Sequence, residues 1–289
     1  MPVKCLVFTT LLLFRQTSAP HRLSHADAPR LVQDLVRTPD KSGDFRIVAA
    51  EHLLCIAETH GGPDQVVEAV IHTNTLPQLI GYLSNSSSIP NSESQQVLMQ
   101  RTISLLAHIL SFQRTWETAL RAQVVPLLTA RLHESFFNPT LDPQIDAACA
   151  LANITAAEGG KHMAVQAGTV PLLVDALTSP SGDLVKMAVR SLKNIASIKV
   201  GRRAIYAAGA VPRLAALLDL RPPADNQVRY DAVKALTYVA SVNKAAREKM
   251  RAHGAIEKLK ALPNPPEQLE LAAEELGDDL DTGGCCLLC

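Results

Sequence analysis

One short phrase, a small or apolar residue followed by Pro, a variable residue, Leu and further apolar residues, recurs five times along this chain. The prolines of the five copies are Pro29, Pro77, Pro126, Pro171 and Pro212. They are separated by 48, 49, 45 and 41 residues, and a sixth copy, which lacks the proline, follows in the next interval. A period of roughly 40–47 residues is typical of helical solenoids. Because solenoids usually present extended binding surfaces, the repeat predicts a protein that binds rather than one that catalyses.

Each unit is predicted to contain three helices. Pro is tolerated at the first position of a helix, so each phrase starts one. A longer helix follows, and a third stretch, such as Glu158–Gly168, ends in Gly, a common residue just past a helix end. In the fourth long helix, Leu184, Ala188 and Leu192 recur at the spacing of one helical face. The long helices are predicted over these ranges: Phe45–Glu58, Val97–Ser111, Ile145–Thr155, Leu184–Ser197 and Val228–Ser241.

The fourth unit carries the most regular copy of the pattern. It reads Ala-Gly-Thr-Val-Pro-Leu-Leu-Val over residues 167–174, and its long helix ends Ser-Leu-Lys-Asn-Ile-Ala-Ser over 191–197. These residues resemble the armadillo repeat, and the resemblance covers about residues 22–263. It implies an all-α fold, a right-handed α-solenoid of about five to six repeats with three helices each. An apolar segment, 1–21, and an acidic segment, 264–289, flank the predicted solenoid.

The resemblance also implies where a partner binds. In the nuclear-import adaptors of the armadillo family, a ladder of Asn side chains on the long helices, each with a Trp four residues earlier, holds an extended basic peptide in a concave groove. Here Asn153 and Asn194 match the ladder, whereas Cys55, His108 and Tyr238 take its place in the other repeats. No position four residues earlier holds Trp, which is unlike an import adaptor.

The charge of the predicted groove points to a different partner. Residues 161–260 contain 17 Lys and Arg against 7 Asp and Glu, although the whole chain has a formal net charge of zero. A basic groove repels a basic peptide and prefers an acidic or phosphorylated extended segment. The alternative is that these bases merely cover solvated helices. The predicted groove residues are Asn153, Lys186, Arg190, Asn194, Lys234 and Tyr238.

The C-terminal residues predict a lipid anchor. Cys286-Leu287-Leu288-Cys289 fits the Cys-aliphatic-aliphatic-X pattern of prenylation at Cys286. The adjacent Cys285 is a candidate for palmitoylation, and two lipids are needed because one chain gives marginal membrane binding. The preceding acidic residues, Glu267 to Asp281, are predicted to form a flexible tail that can also occupy the basic groove and inhibit partner binding. The alternative is a chance cysteine-rich end.

The N-terminal segment allows two interpretations. Lys4 precedes the apolar run Cys5–Phe14, and Thr17-Ser18-Ala19 resembles a cleavage site, which is the pattern of a signal peptide. The second interpretation, which the interrupted run favours, is a helix that caps the first repeat. Cys55 and Cys149 stand singly in apolar runs and are predicted to act as small buried hydrophobes. The absence of a disulfide pattern favours a reducing compartment.

No sequence motif points to catalysis. The chain has no Gly-rich phosphate loop, no zinc-protease motif and no nucleophile elbow. His21 and His25 have metal-ligand spacing, but a surface pair of this kind is expected to be incidental. The sequence therefore predicts no enzyme activity, no cofactor, no metal, no small-molecule substrate and no nucleic-acid partner.

The function predicted from these features is a protein-binding scaffold tethered to a cytosolic membrane face. A second hypothesis is a structural subunit of a large assembly, since residues 158–177 and 200–218 loosely resemble the armadillo protein of the ciliary radial spoke; the protein would then be soluble or ciliary. A third, by analogy with armadillo exchange factors, is a regulator of small GTPases. Secretion is a fourth, but it conflicts with cytosolic prenylation.

Overall fold

The computed structural model describes residues 25–36, 44–59, 62–85, 93–135, 143–219, 226–242 and 244–260, together with seven positions between 267 and 280. All regular structure in these residues is helical. Short 3-10 turns lie at His25–Asp27, Gln113–Thr115 and Leu217–Asp219. The predicted all-α solenoid is confirmed. Residues 1–24 and the cysteines at 285, 286 and 289 lie outside the described residues, so the predictions made for them stay predictions.

The described α-helices fall into six successive units. The first unit contains α1 (Ala28–Val36) and α2 (Asp44–Ala57), the second α3 (Gly62–His72), α4 (Leu76–Asn85) and α5 (Glu93–Ile109), and the third α6 (Trp116–Arg121), α7 (Val124–Ser135) and α8 (Pro143–Ile154). The fourth contains α9 (Glu158–Gln166), α10 (Thr169–Ala176) and α11 (Gly182–Ala196), the fifth α12 (Lys199–Ala207), α13 (Ala210–Ala216) and α14 (Asn226–Ala240), and the sixth α15 (Lys244–Ala252) and α16 (Ala255–Lys260).

The long third helices form the inner layer of the solenoid. Each packs against the long helix before and after it, so that α2, α5, α8, α11 and α14 form one continuous row. The shorter first and second helices pack on one another and on this row as an outer layer. On α11 the predicted apolar face is confirmed, since Leu184, Ala188, Leu192 and Ile195 are all buried.

Sharp turns join the first helix of a unit to the second. Gly168 and Gly209, predicted to end helices, have φ angles of 70° and 71°, a left-handed conformation that Gly adopts without steric cost. At the corresponding junctions of the second and third units stand Asn74 and Gln123, with φ angles of 49° and 59°. The turn geometry is therefore kept where the sequence lacks Gly.

Three glycines, Gly62, Gly160 and Gly201, allow the first helix of a unit to approach the preceding long helix. A Cβ atom placed on Gly160 would lie 2.0 Å from the Ile154 carbonyl oxygen, and one on Gly201 would lie 2.0 Å from the Ile195 carbonyl oxygen. A side chain at either position would displace backbone, because real atoms do not approach so closely. These glycines therefore fix the angle between consecutive units.

Two sequence predictions need small corrections. Pro lies at the second or third residue of its helix rather than the first, for example Pro77 in α4 and Pro171 in α10; the first N–H groups of a helix have no intrahelical acceptor, so these positions tolerate Pro equally. Cys55 is exposed rather than buried. The buried face of α2 contains Leu53 and Ile56, and Cys55 falls outside it.

Seven positions of the acidic segment, 264–289, are described, and the prediction that the segment as a whole is flexible stays a prediction. Its described residues are helical. Leu276 and Leu280, four residues apart and therefore on one helical face, are buried in the hydrophobic core. Arg251 of α15 donates a hydrogen bond to the Leu280 carbonyl oxygen. In chain order these residues take the place of the third helix of the sixth unit, and the exposed Glu267 and Glu274 give it the polar outer face that a terminal repeat needs.

Candidate functional site

A cleft opens where the inner helices of the fourth and fifth units end. It has a volume of about 320 Å³. Side chains from α9, from the last turns of α11 and from the inner face of α14 meet there. The reason is that α9 begins directly after the long helix α8 ends, and α8 packs beside α11. Its lining residues are Ala156, Lys161, Lys193, Asn194, Ser197, Tyr230, Lys234 and Tyr238. We call this the lysine cleft.

Three lysines give the cleft its charge, and one buried carboxylate partly offsets it. Lys193 Nζ donates to Asp231 Oδ1 at 2.7 Å, and Gln227 Nε2 donates to the same oxygen at 3.0 Å. The Asp231 side chain is only 2% exposed, so this carboxylate anchors Lys193 from below rather than facing the opening. Lys161 lies 3.4 Å from Glu158, which is largely solvated. Two of the three lysines are therefore ion-paired, whereas the described lining residues themselves include cations and no carboxylate.

The Tyr238 ring contacts Lys234, the third lysine of the cleft, and one further cation, Arg202. The Lys234 Nζ lies 5.9 Å from the centre of the Tyr238 ring, and the Arg202 guanidinium lies 5.6 Å from it. Both distances are within the range of cation–π attraction. Arg202 is held in place by hydrogen bonds to the carbonyl oxygens of Ala196 and Ser197, at 3.0 and 3.1 Å. The cations are therefore positioned before any ligand binds.

The two ladder asparagines connect neighbouring inner helices. Asn153 Nδ2 donates to the Ala107 carbonyl oxygen at 3.0 Å, and Asn194 Nδ2 donates to the Ala152 carbonyl oxygen at 3.1 Å. Each bond satisfies a carbonyl at the end of the preceding long helix, which has no partner within its own helix. Asn153 is buried. The amide groups thus contribute to the stacking of repeats, in addition to any contact with a partner.

The structure brings together some of the predicted groove residues. Asn194, Lys234 and Tyr238 line the cleft. Lys186 and Arg190 lie two turns and one turn before Asn194 on the same face of α11, and Arg190 is exposed, so they extend the positive surface along the helix. Asn153 lies on α8, the helix of the inner layer that precedes α11.

Sequence reasoning did not single out three of the charged or aromatic residues that line the cleft, Lys161, Lys193 and Tyr230. It also did not single out Arg202, which lies beside the cleft. Lys161 and Arg202 lie on first helices, outside the register of the long helices, so the ladder comparison could not find them. Chain order was the signal that could have placed Lys161 and Arg202 near the cleft, because a first helix begins where the preceding long helix ends.

Toward the N-terminus the inner layer has a different chemistry. Glu51 pairs with Arg101 at 3.5 Å, and the Ser104 hydroxyl donates to the Asp146 carboxylate. Half-burial raises the pKa of the Cys149 thiol, nearby Asp146 raises this pKa further, and Arg190 lowers it. The polar side chains named here therefore contact one another across neighbouring helices of the inner layer.

The described residues hold no group of three His, Cys, Asp or Glu side chains placed to bind a metal ion. Among the same residues, no helix is both long enough and apolar enough to span a bilayer. None of the described residues of the acidic segment lines the lysine cleft, so the predicted occupation of the groove by this segment gains no support from them. What the cleft offers is positive charge, hydrogen-bond donors and two tyrosine rings.

Comparison with known proteins agrees with this architecture. Residues 158–197, the fourth unit, match the Armadillo/beta-catenin-like repeat family. A relative, Vacuolar protein 8 of Candida albicans, is 30% identical over 141 residues, which are 49% of this chain and 24% of that protein. The chain therefore aligns with about a quarter of the length of this relative.

Solved structures show the same fold over most of the chain. An engineered protein is 27% identical with a TM-score of 0.70, covering 89% of this chain and 98% of its own. A designed armadillo repeat protein is 26% identical with a TM-score of 0.69, covering 88% and 99%. Another, in complex with the peptide (KR)4, is 25% identical with a TM-score of 0.68 and the same coverage. The chain thus has the fold of an armadillo-repeat scaffold, a fold consistent with protein binding.

Proposed function

We propose that the protein is a non-enzymatic scaffold that binds an extended acidic or phosphorylated segment of a partner protein in the lysine cleft. The observation that carries this proposal is the charge of the cleft. Lys161, Lys193 and Lys234 line an opening whose described lining lacks a carboxylate. Carboxylate and phosphate groups form stronger hydrogen bonds with cationic donors than neutral groups do. The arrangement therefore favours an anionic segment.

The designed neighbour that holds (KR)4 supports the mode of binding and not the charge. It shows that a protein with this fold can bind a short peptide, (KR)4. In the present chain the corresponding inner surface carries Lys186, Arg190 and Lys234, which repel Lys and Arg side chains. We therefore expect the opposite charge preference, with the peptide backbone lying along the row of inner helices.

The test is a fluorescence anisotropy titration with two eight-residue peptides of mirrored charge, (Glu-Asp)4 and (Lys-Arg)4. We expect the acidic peptide to bind and the basic one not to bind, with affinity falling as salt screens the charges. Replacing Ser residues with phosphoserine in a neutral Ser-Gly peptide should create binding. Equal affinity for both charged peptides would contradict the proposal.

A variant assigns the binding to the cleft. The double substitution Arg190→Glu and Lys234→Glu reverses two charges on the inner face and should abolish capture of (Glu-Asp)4 while the circular dichroism spectrum stays unchanged. A control reverses two outer charges of equal size, Lys199→Glu and Arg203→Glu, and should retain capture. Unchanged binding in the inner variant would remove the cleft assignment.

We also propose that the scaffold is held at a cytosolic membrane face by a prenyl group on Cys286 and a palmitoyl group on Cys285. The support is the sequence pattern at positions 286–289. Intact mass measured on protein from eukaryotic cells should show a farnesyl-sized increment with loss of the last three residues. An unmodified C-terminus would remove the anchor and leave the peptide-binding proposal intact.

A further inference from the structure

The outer layer of the fifth and sixth units carries a second basic surface, on the side of the solenoid away from the inner row. On α12, Lys199 and Arg203 lie one turn apart, on the face opposite to the buried Gly201 and Ile205. On α15 of the next unit, Lys249 is an exposed base of the outer layer. We call Lys199, Arg203 and Lys249 the outer basic patch.

The cations of the patch are not consumed by ion pairs. Among the described residues, no carboxylate lies within ion-pair distance of Lys199, Arg203 or Lys249. One acid stands on the same side, Glu248, and it pairs with Lys244 at 3.6 Å. The patch is therefore free to attract an external anionic surface.

The charge of the patch is specific to this end of the molecule. The residues 41 positions before Lys199 and Arg203, at the same register one unit earlier, are Glu158 and His162. In the second unit the first helix exposes Asp64 and Glu68 instead. The repeat architecture does not itself require bases at these positions, since other units place acids there.

An exposed aliphatic side chain accompanies the cations. Val200 is 44% exposed and lies beside Lys199, three residues before Arg203 on the same side of α12. A face that combines cations with a small apolar side chain matches the interface of an anionic bilayer, where bases meet lipid phosphates and an apolar group enters the headgroup boundary. The exposed residues of the patch include no aromatic ring on which a nucleic-acid base could stack.

We propose that the outer basic patch docks on an anionic phospholipid surface, so that the inner cleft faces away from the membrane toward a soluble partner. The proposal rests on the outer layer alone and requires neither the C-terminal lipids nor peptide binding in the cleft. Each base near an anionic surface strengthens binding by about fivefold at low salt, and screening weakens it as salt is raised.

The test is sedimentation of the full chain, purified from bacteria without a prenyl group, with vesicles of phosphatidylcholine and phosphatidylserine. Vesicles of phosphatidylcholine alone are the neutral reference. The protein should sediment with the anionic vesicles and remain in solution with the neutral ones. The Lys199→Glu and Arg203→Glu variant should lower the partition coefficient at least about tenfold. Because both side chains are exposed, this variant is expected to keep its fold and its capture of (Glu-Asp)4.

The matched control is the inner variant, Arg190→Glu and Lys234→Glu, which changes the net charge by the same amount. It should sediment with anionic vesicles as the unmodified protein does. Equal losses in both variants would show an effect of net charge alone and overturn the proposal. It would also be overturned if the outer variant sedimented with anionic vesicles as the unmodified protein does. A third contrary result would be a patch that binds soluble poly-glutamate, with this binding lost in the outer variant, but does not bind the vesicles. That result would assign the patch to an acidic protein.

Discussion

The second and third units and the fourth and fifth units build the same turn from different residues. In the later pair the left-handed position is Gly168 and Gly209, whereas in the earlier pair it is Asn74 and Gln123. A non-glycine residue in this conformation costs about 1–2 kcal/mol, yet the helices before and after it pack in the same way. The comparison teaches that the buried apolar faces determine the fold, and that the regular phrase refines it.

The same two regions differ in the chemistry of the inner layer. Around α5 and α8, Glu51 pairs with Arg101, and Ser104 bonds to Asp146. Around α11 and α14, the lysines point into an open cleft and one buried carboxylate holds Lys193. The more regular half of the solenoid is therefore also the half whose lysines line an open cleft.

The largest effect on stability is expected from Gly201→Ala, at the junction between the fourth and fifth units. The sixth unit has Ala246 at the corresponding position. The new Cβ would meet the Ile195 carbonyl at 2.0 Å, and such overpacking should lower the free energy of unfolding by about 3 kcal/mol. Urea denaturation followed by circular dichroism measures it. Gly182→Ala is the control, because nothing lies within 4 Å of its Cβ position; equal losses would show that the close approach is not limiting.

The next effect concerns the buried carboxylate of the cleft. Lys193→Met leaves the buried Asp231 carboxylate with the Gln227 amide, at 3.0 Å, as its remaining side-chain donor among the described residues. The free energy of unfolding should therefore fall by about 2 kcal/mol, less than for a fully buried pair because Lys193 is a quarter exposed. Adding Asp231→Asn should recover most of the loss. Arg190→Met, an exposed change on the same helix, should cost less than about 0.5 kcal/mol. A double variant no more stable than Lys193→Met would contradict the pairing.

A smaller effect tests the turn comparison directly, with exchanges in opposite directions. Gly168→Gln should destabilise by about 0.5–1 kcal/mol, because the cost of the left-handed conformation for Gln outweighs the gain from the lower entropy of an unfolded chain without Gly. Gln123→Gly should stabilise by about 0.5 kcal/mol for the same reason. Both are read from denaturant midpoints. Changes of the same sign would show that local contacts, rather than φ, decide these positions.

The smallest effect separates the two described cysteines by reactivity. The pKa of Cys149 is raised by burial and by Asp146, so its reactive thiolate is scarcer than an ordinary one until the pH is raised above the usual thiol range. Iodoacetamide at neutral pH should therefore modify the exposed Cys55 before Cys149, as peptide mass spectrometry would show. Because Arg190 lowers this pKa, Arg190→Glu should slow Cys149 further. Faster labelling of Cys149 would refute the order.

The repeat and its long helices could be predicted because apolar residues recur at helical spacing. The predicted stretch Leu184–Ser197 corresponds to Gly182–Ala196, and the left-handed Gly168 follows from its place at a helix end. Gln123 could not be predicted, since nothing local favours that conformation for Gln. The buried Leu276 and Leu280 were missed because their acidic neighbours dominate the composition, although their spacing of four was visible.

The cleft was predictable only in part. Asn194, Lys234 and Tyr238 follow from the register of the long helices, but Lys161 joins them through the packing of successive units, which a single repeat does not reveal. The carboxylate beneath Lys193 could not be inferred either, because Asp231 lies 38 residues away in the next unit. Contacts between repeats therefore decide which bases converge.

The most direct test of the central claim is to map where an acidic peptide lies on the chain. A (Glu-Asp)4 peptide carrying a benzophenone is cross-linked to the full protein, and the modified residues are identified by mass spectrometry. The account predicts cross-links on α11 and α14, within residues 186–197 and 230–238, and their loss in the Arg190→Glu and Lys234→Glu variant. Cross-links concentrated on α2 and α5, or spread evenly along the inner layer, would contradict it.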